Sequence, residues 1–185
     1  MVARMRIMIV AFLAALMLAA PARPAPAPVS MARAIEEAEA LIAKGIAEAR
    51  AELEPGAPKL LPNGELDRIA RLRSEAMAKG TDPFAHEDAQ GRPAATDMMR
   101  DRVSPYGAFG ENIMVEGRGR APFNPAAFAK TAVEGWLESP THRANILSHF
   151  FNRSGVGVAV NETAAYATQV FMGPARNAPR PGQRR

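Results

Sequence analysis

Three histidines, with the acids and hydroxyls near them, are the residues of this chain best suited to chemistry. His86 sits in Phe84-Ala-His-Glu-Asp-Ala-Gln-Gly91, a polar stretch between two helical patterns. An imidazole in such a loop is more often a surface or hydrogen-bonding group than a ligand. Glu111 follows Gly110, where a carboxylate either accepts backbone N–H groups or faces a cleft. The two could do acid–base work, His86 as base and Glu111 orienting it, if they lie within hydrogen-bond reach. His142 precedes Arg143 at the start of a short helix, and its simplest role is to hold that junction through hydrogen bonds. His149 stands beside Phe150-Phe151 and is expected to expose its ring edge. No His-x-x-x-His or cysteine spacing exists, so local sequence gives no metal motif. Ser139 lacks a Gly-x-Ser-x-Gly elbow and an evident paired base, and reads as a helix cap. Tyr166 alternates with apolar neighbours on a strand pattern, as core or as cleft wall.

The elements that must position these groups follow from periodicity. Ser30 opens a helix in which Ile35, Ala38, Ile42, Ile46, Ala49 and Leu53 recur near helical spacing, with the charges mostly between them. Asn63 can cap a second helix with Leu66, Ile69, Ala70 and Met77 inward, ended by Lys79-Gly-Thr-Asp-Pro83. Residues 94–102 predict a short helix, and Glu111 to Val115 a short extended piece. Asn124-Pro125 is a cap followed by proline at the first helical position, and Ser139-Pro140 repeats the device. Ala129, Ala132, Val133, Trp136 and Leu137 give the helix between them one apolar face. Gly155–Val160 and Ala165–Met172 predict a hairpin. Helices first and strands last make an α+β fold with helices on the faces of an antiparallel sheet.

The ends of the chain differ from its middle. Two arginines, the apolar run Ile7 to Ala20 and the small residues of Ala20-Pro-Ala22 form the pattern of a secretory signal, residues 1–22. The run is shorter than the roughly 20 residues a membrane span needs. A Pro-rich linker, 23–29, precedes the domain, 30–174, and a basic Pro-rich tail, 175–185, follows it. The net charge of +4 comes from those ends: six arginines lie outside residues 23–174, which leaves that span at −2. A basic face for nucleic acid is therefore not expected. With no cysteine, the exported chain must be held by its apolar core rather than by disulfides.

In order along the chain stand Leu66-Asp-Arg-Ile-Ala70, Phe84-Ala-His86 with Gly91-Arg92, Gly110-Glu-Asn-Ile113, Ala132-Val133 with Trp136, and Ser139-Pro140. His142-Arg-Ala-Asn-Ile-Leu147, Gly155-Val-Gly-Val158 and Tyr166-Ala-Thr-Gln-Val-Phe171 follow. This set resembles the SCP-like extracellular proteins of bacteria, in the CAP superfamily with cysteine-rich secretory and plant pathogenesis-related proteins. The resemblance covers roughly residues 35–173. It implies an α-β-α sandwich with a small antiparallel sheet between helical layers and a large cleft. Family members often place two His and two Glu there, and some bind a divalent metal through the histidines. His86 matches the first His and Glu111 the first Glu. Ser139 stands at the second Glu position, with Glu138 one residue early, and Tyr166 stands at the second His position. The set is half present, which implies no cofactor beyond weak divalent-cation binding through His86. His142 supplies a second imidazole only if its helix reaches the cleft.

His86, Glu111, Glu138, His142 and Tyr166 are thus the candidate cleft residues. The expected function is a secreted or periplasmic, non-catalytic module that binds a lipid, glycan or peptide of the cell envelope. The alternative is a hydrolase using His86 and Glu111. The mature chain is expected to carry no transmembrane segment and to bind no nucleic acid.

Overall fold

A computed structural model describes residues 30–103 and 107–174. The expected export signal, the linker at 23–29 and the tail at 175–185 lie outside the described residues. Helix α1 (Met31–Leu53) begins at Ser30, whose hydroxyl accepts the Arg33 N–H. Its buried stripe is Ala34, Ala38, Ile42 and Ile46. The chain then extends through β1 (Leu61–Pro62) into α2 (Gly64–Lys79). Asn63 caps α2 through Oδ1, which accepts the N–H groups of Glu65 and Leu66. Helix α3 (Ala94–Val103) and strand β2 (Phe109–Gly117) come next. The Asn124 side chain caps α4 (Pro125–Glu138), which runs directly into α5 (Pro140–Leu147). Strands β3 (Arg153–Val160) and β4 (Ala164–Met172) close the fold as the expected hairpin.

The sheet order is β1-β3-β4-β2. Three strands are antiparallel, and β1 adds two parallel residues at one edge. That edge piece is absent from the sequence expectation, and a proline is tolerated there because an edge strand leaves one row of donors unused. β2 is longer than the extended piece expected, because it pairs with β4 over its whole length.

Two apolar clusters separate the layers. Leu66, Ile69, Ala70, Ala95 and Met99 join Val170 on the α2–α3 face. Ile42, Ile46, Phe128, Trp136, Ile146, Phe151 and Phe171 pack with Val156 and Val158 on the α1–α4–α5 face. The result is a helix–sheet–helix sandwich. α2 lies so close to β3 that a Cβ on Gly157 would sit 2.0 Å from the Arg71 backbone nitrogen. A Cβ on Gly155 would sit 2.2 Å from that of Asp67, so Gly-Val-Gly is a steric requirement of this contact.

Side chains cover groups left open on β2 and on the part of β3 that extends past β1. At β3, the N–H groups of Val156 and Val158 donate to Asp67 Oδ1 at 3.0 Å and Glu39 Oε1 at 3.1 Å. At β2, the carbonyls of Glu111 and Ile113 accept from Asn145 Nδ2 at 3.2 Å and from the Trp136 indole at 3.0 Å. Unsatisfied edge groups invite intermolecular pairing, and these contacts remove them.

Candidate functional site

The site is built where the loop after α2, strand β2 and the start of α5 meet. Glu111 is buried on β2. Its Oε2 lies 2.7 Å from His86 Nδ1, and its Oε1 accepts from Arg73 Nε at 3.2 Å. Arg73 is wholly buried on α2. It donates to Asp82 Oδ2 at 2.8 Å and to the Ala85 carbonyl at 2.7 Å, which ties the loop carrying His86 to the helix. A carboxylate that accepts from Nδ1 turns the other imidazole nitrogen outward, and the His86 side chain is half exposed. His86 shares the lining of an open cavity of about 240 Å³ with Pro93, Ala95, Thr96, Phe109, Gly110 and Glu111.

α5 forms the other wall. Asn112 donates to the His142 carbonyl at 3.2 Å, and Asn145 donates to Asn112 Oδ1 at 2.9 Å. Gly110 permits this approach: a Cβ there would meet the Phe151 ring at 2.8 Å and Asn145 Oδ1 at 3.1 Å. These bonds bring the His142 ring to 6.4 Å from that of His86, centroid to centroid, with the planes 66° apart. The junction role expected of His142 is carried by its backbone, while its ring faces the cleft. Ser139 occupies the N-cap position of α5 without a capping bond. Its hydroxyl lies 3.3 Å from that of Thr141.

The two imidazoles differ electrostatically. The hydrogen bond that His86 donates to Glu111 raises the His86 pKa above its ordinary value, against the opposing effect of burial. Burial lowers that of His142, with a further contribution from charge on His86. The pair thus favours one proton, on His86.

A tight metal site does not fit these donors. Both oxygens of Glu111 and one nitrogen of His86 are committed, and among the described residues no group of three or more His, Asp or Glu side chains could hold a metal ion. Structural and catalytic zinc needs at least three protein ligands.

The family model for the cysteine-rich secretory protein (CAP) family matches residues 45–171. The chain belongs to the CAP family. Solved structures agree with the fold. An extracellular protein with an SCP domain from Bacillus anthracis shares 22% identity at a TM-score of 0.61, over 80% of this chain and 45% of that one. An outer surface protein of Borrelia burgdorferi shares 14% at 0.62, over 75% and 94%. A cysteine-rich secretory protein of Staphylococcus aureus shares 20% at 0.54, over 79% and 41%. This chain therefore spans under half the length of the first and third. No curated protein sequence matches it.

Within this CAP fold, His86, Glu111 and His142 converge. Glu138 ends α4 as an exposed residue. Tyr166 pairs with Val115, four residues along β2 from Glu111 and hence about 13 Å away. The structure does not bring either beside the histidines. Two site residues escaped the sequence reading. Arg73 falls on the apolar stripe of α2, four residues after Ile69 and four before Met77, and that position was the available signal of burial. Asn145 lies one turn after His142 and gave no comparable sign. No described helix is long and apolar enough to cross a membrane.

Proposed function

We propose that this CAP protein is an exported binding module of the bacterial cell envelope, whose cleft at His86, Glu111 and His142 takes a lipid, glycan or peptide ligand without turning it over. One observation carries the reading: Glu111 and Asn112 are spent on their neighbours, and the half-exposed His86 imidazole is left toward solvent. Glu111 is consumed by Arg73 and His86, and Asn112 by His142 and Asn145. Among the described residues no hydroxyl is hydrogen-bonded to His86, and Thr96 is the one hydroxyl residue lining its cavity. Ser139 and Thr141 contact each other, Ser74 is buried against Gly157 and Thr168, and the chain has no cysteine. Export is supported by the apolar run and small-residue site at 1–22, and by the extracellular and outer-surface descriptions of the structural relatives.

The test is to incubate the purified chain with envelope extract and analyse what it retains by mass spectrometry. A retained ligand, lost on His86→Ala, is the expected result. No retained species, together with no thermal shift across lipid, glycan and peptide panels, would sink the reading. Export is checked by the mass of the processed chain after cell fractionation, expected to begin at Arg23.

The 2.7 Å His86–Glu111 contact favours a second reading, a hydrolase in which His86 draws a proton from water while Glu111 orients the ring. Turnover of an ester, peptide or glycoside that disappears in His86→Gln would establish it. Equal background rates in both proteins would end it.

A further inference from the structure

We propose that the mouth of the cleft is a proton-linked anion site, in which the oxygens of one carboxylate or phosphate group accept hydrogen bonds from both His86 and His142. The proposal rests on the reading of this cleft as a binding site, and it names the group a ligand must present.

The geometry supplies donors and little else. His86 Nδ1 is held by Glu111 at 2.7 Å, so the nitrogen left to a ligand is the opposite one. The His142 ring makes no hydrogen bond among the described residues and faces His86 across 6.4 Å. A charge-assisted N–H···O bond spans about 2.7–2.9 Å. Rings whose centres lie 6.4 Å apart are near enough for each to reach a different oxygen of one small polyatomic anion. The charge of the nearest carboxylate, Glu111, is offset by Arg73, which takes the oxygen that His86 does not. The apolar walls at Pro93, Ala95 and Phe109 would receive the body of the ligand beside its charged end.

The charges facing each ring fix the sign of the pH dependence. His86 faces Glu111 from β2, Glu87 from its own loop and Arg73 from α2, and the two carboxylates keep a proton on it. His142 faces His86 and is partly buried, which holds it neutral. An anion between the rings offsets both effects on His142 and draws a second proton in. Affinity then rises as pH falls through the interval between the free and bound values of His142. The limit is about tenfold per pH unit for one linked proton.

Side-chain NMR of both imidazoles in the full-length chain, with a chelator present, tests this. The probes are acetate, sulfate as the stand-in for a phosphate ester, and uncharged N-methylacetamide. Each is titrated at about pH 5.5 and about pH 7.5, on either side of the ordinary imidazole range. Acetate or sulfate is expected to move the signals of both rings, to raise both midpoints and to bind about tenfold or more tightly at the lower pH. The tighter of the two identifies the ligand as carboxylate-bearing or phosphate-bearing. His142→Asn is expected to weaken the pH dependence, leaving only the part linked to His86, and the wild-type titration stands without it. N-methylacetamide binding as well as acetate, with no pH dependence, would overturn the anion site while leaving the cleft a binding site. So would silence from both anions in a protein that retains an envelope ligand. Silence from every probe and from the extract would remove both readings.

Discussion

Two buried glutamates in this CAP protein are each met by an arginine from α2, and they are used differently. Glu39 gives both oxygens to Arg71, at 2.5–3.1 Å, and one of them also accepts the Val158 N–H. Its partner is always charged, so the pair is a fixed tie between α1, α2 and the edge of β3. Glu111 divides its oxygens between Arg73 and His86. One partner is permanently charged and buried, and the other is a titratable imidazole that reaches solvent. Burial of a carboxylate on an arginine does not mark a site. What marks it is a second, titratable partner at the surface, which makes the same motif responsive.

Substitutions can separate the two uses. The largest difference is expected between the arginines. Arg73→Met strands Glu111 in the interior and takes a partner from the partly exposed Asp82, and should cost about 3–5 kcal/mol. Arg71→Met, at a half-exposed position, should cost about 1–3 kcal/mol. Urea denaturation measures both, and equal losses would erase the distinction. Gly157→Ala should cost about 3 kcal/mol or more by pushing α2 off the sheet, loosening both pairs together. A thermal melt little different from wild type would show that the helix can shift cheaply.

The carboxylates themselves give a subtler contrast. Glu39→Gln and Glu111→Gln should each cost about 1–3 kcal/mol. Only Glu111→Gln should lower the His86 titration midpoint in NMR, because the Glu111 hydrogen bond is the main cause of the upward shift. The smallest effect lies in the pH dependence of stability. A raised folded pKa means that the His86 contribution is complete below its unfolded value, about 6.5, and is lost as pH rises through the folded value. His142, with its pKa lowered, works in the opposite direction: stability falls as pH drops from about 6.5 through its folded value. In His142→Asn the second effect is gone, and stability should increase on mild acidification, by no more than about 1 kcal/mol for a partly exposed pair. A flat profile in that variant would remove the electrostatic difference between Glu111 and Glu39.

The sequence made the fold legible where local chemistry is strong. Asn63 and Asn124 cap as their neighbours require, and the stripe of α2 is buried as its spacing predicts, while that of α1 is buried at Ala38, Ile42 and Ile46 but leaves Ile35 and Ala49 partly buried and Leu53 exposed. The Gly-Val-Gly strand was recognisable, while the reason for its glycines required the helix lying on it. Periodicity erred with charges. Glu39 and Arg50 belong to the charges read as lying between the apolar positions of α1, and Arg73 on α2 drew no reading, yet each is buried because long-range partners satisfy it. Such partners lie 32 or more residues away in sequence, beyond any local pattern. For the same reason, the meeting of His86 with Glu111 could be posed as a question but not answered. The approach of His142 depended on Asn112, Asn145 and Gly110 acting together across two elements.

Arg50 carries a consequence for how the molecule comes apart. Its guanidinium donates to the carbonyls of Pro58, Ile146, Ser148 and Phe151, gathering the end of α1, the link to β1 and the turn after α5 around one side chain. Three of those partners are 96 to 101 residues away in sequence. Contacts that close such long loops are costly to form early, so this knot belongs to the last stages of folding. Shortening the side chain should therefore leave the refolding rate nearly unchanged and accelerate unfolding. For a chain without disulfides, Arg50 sets a lifetime: how long the native state persists before it first opens.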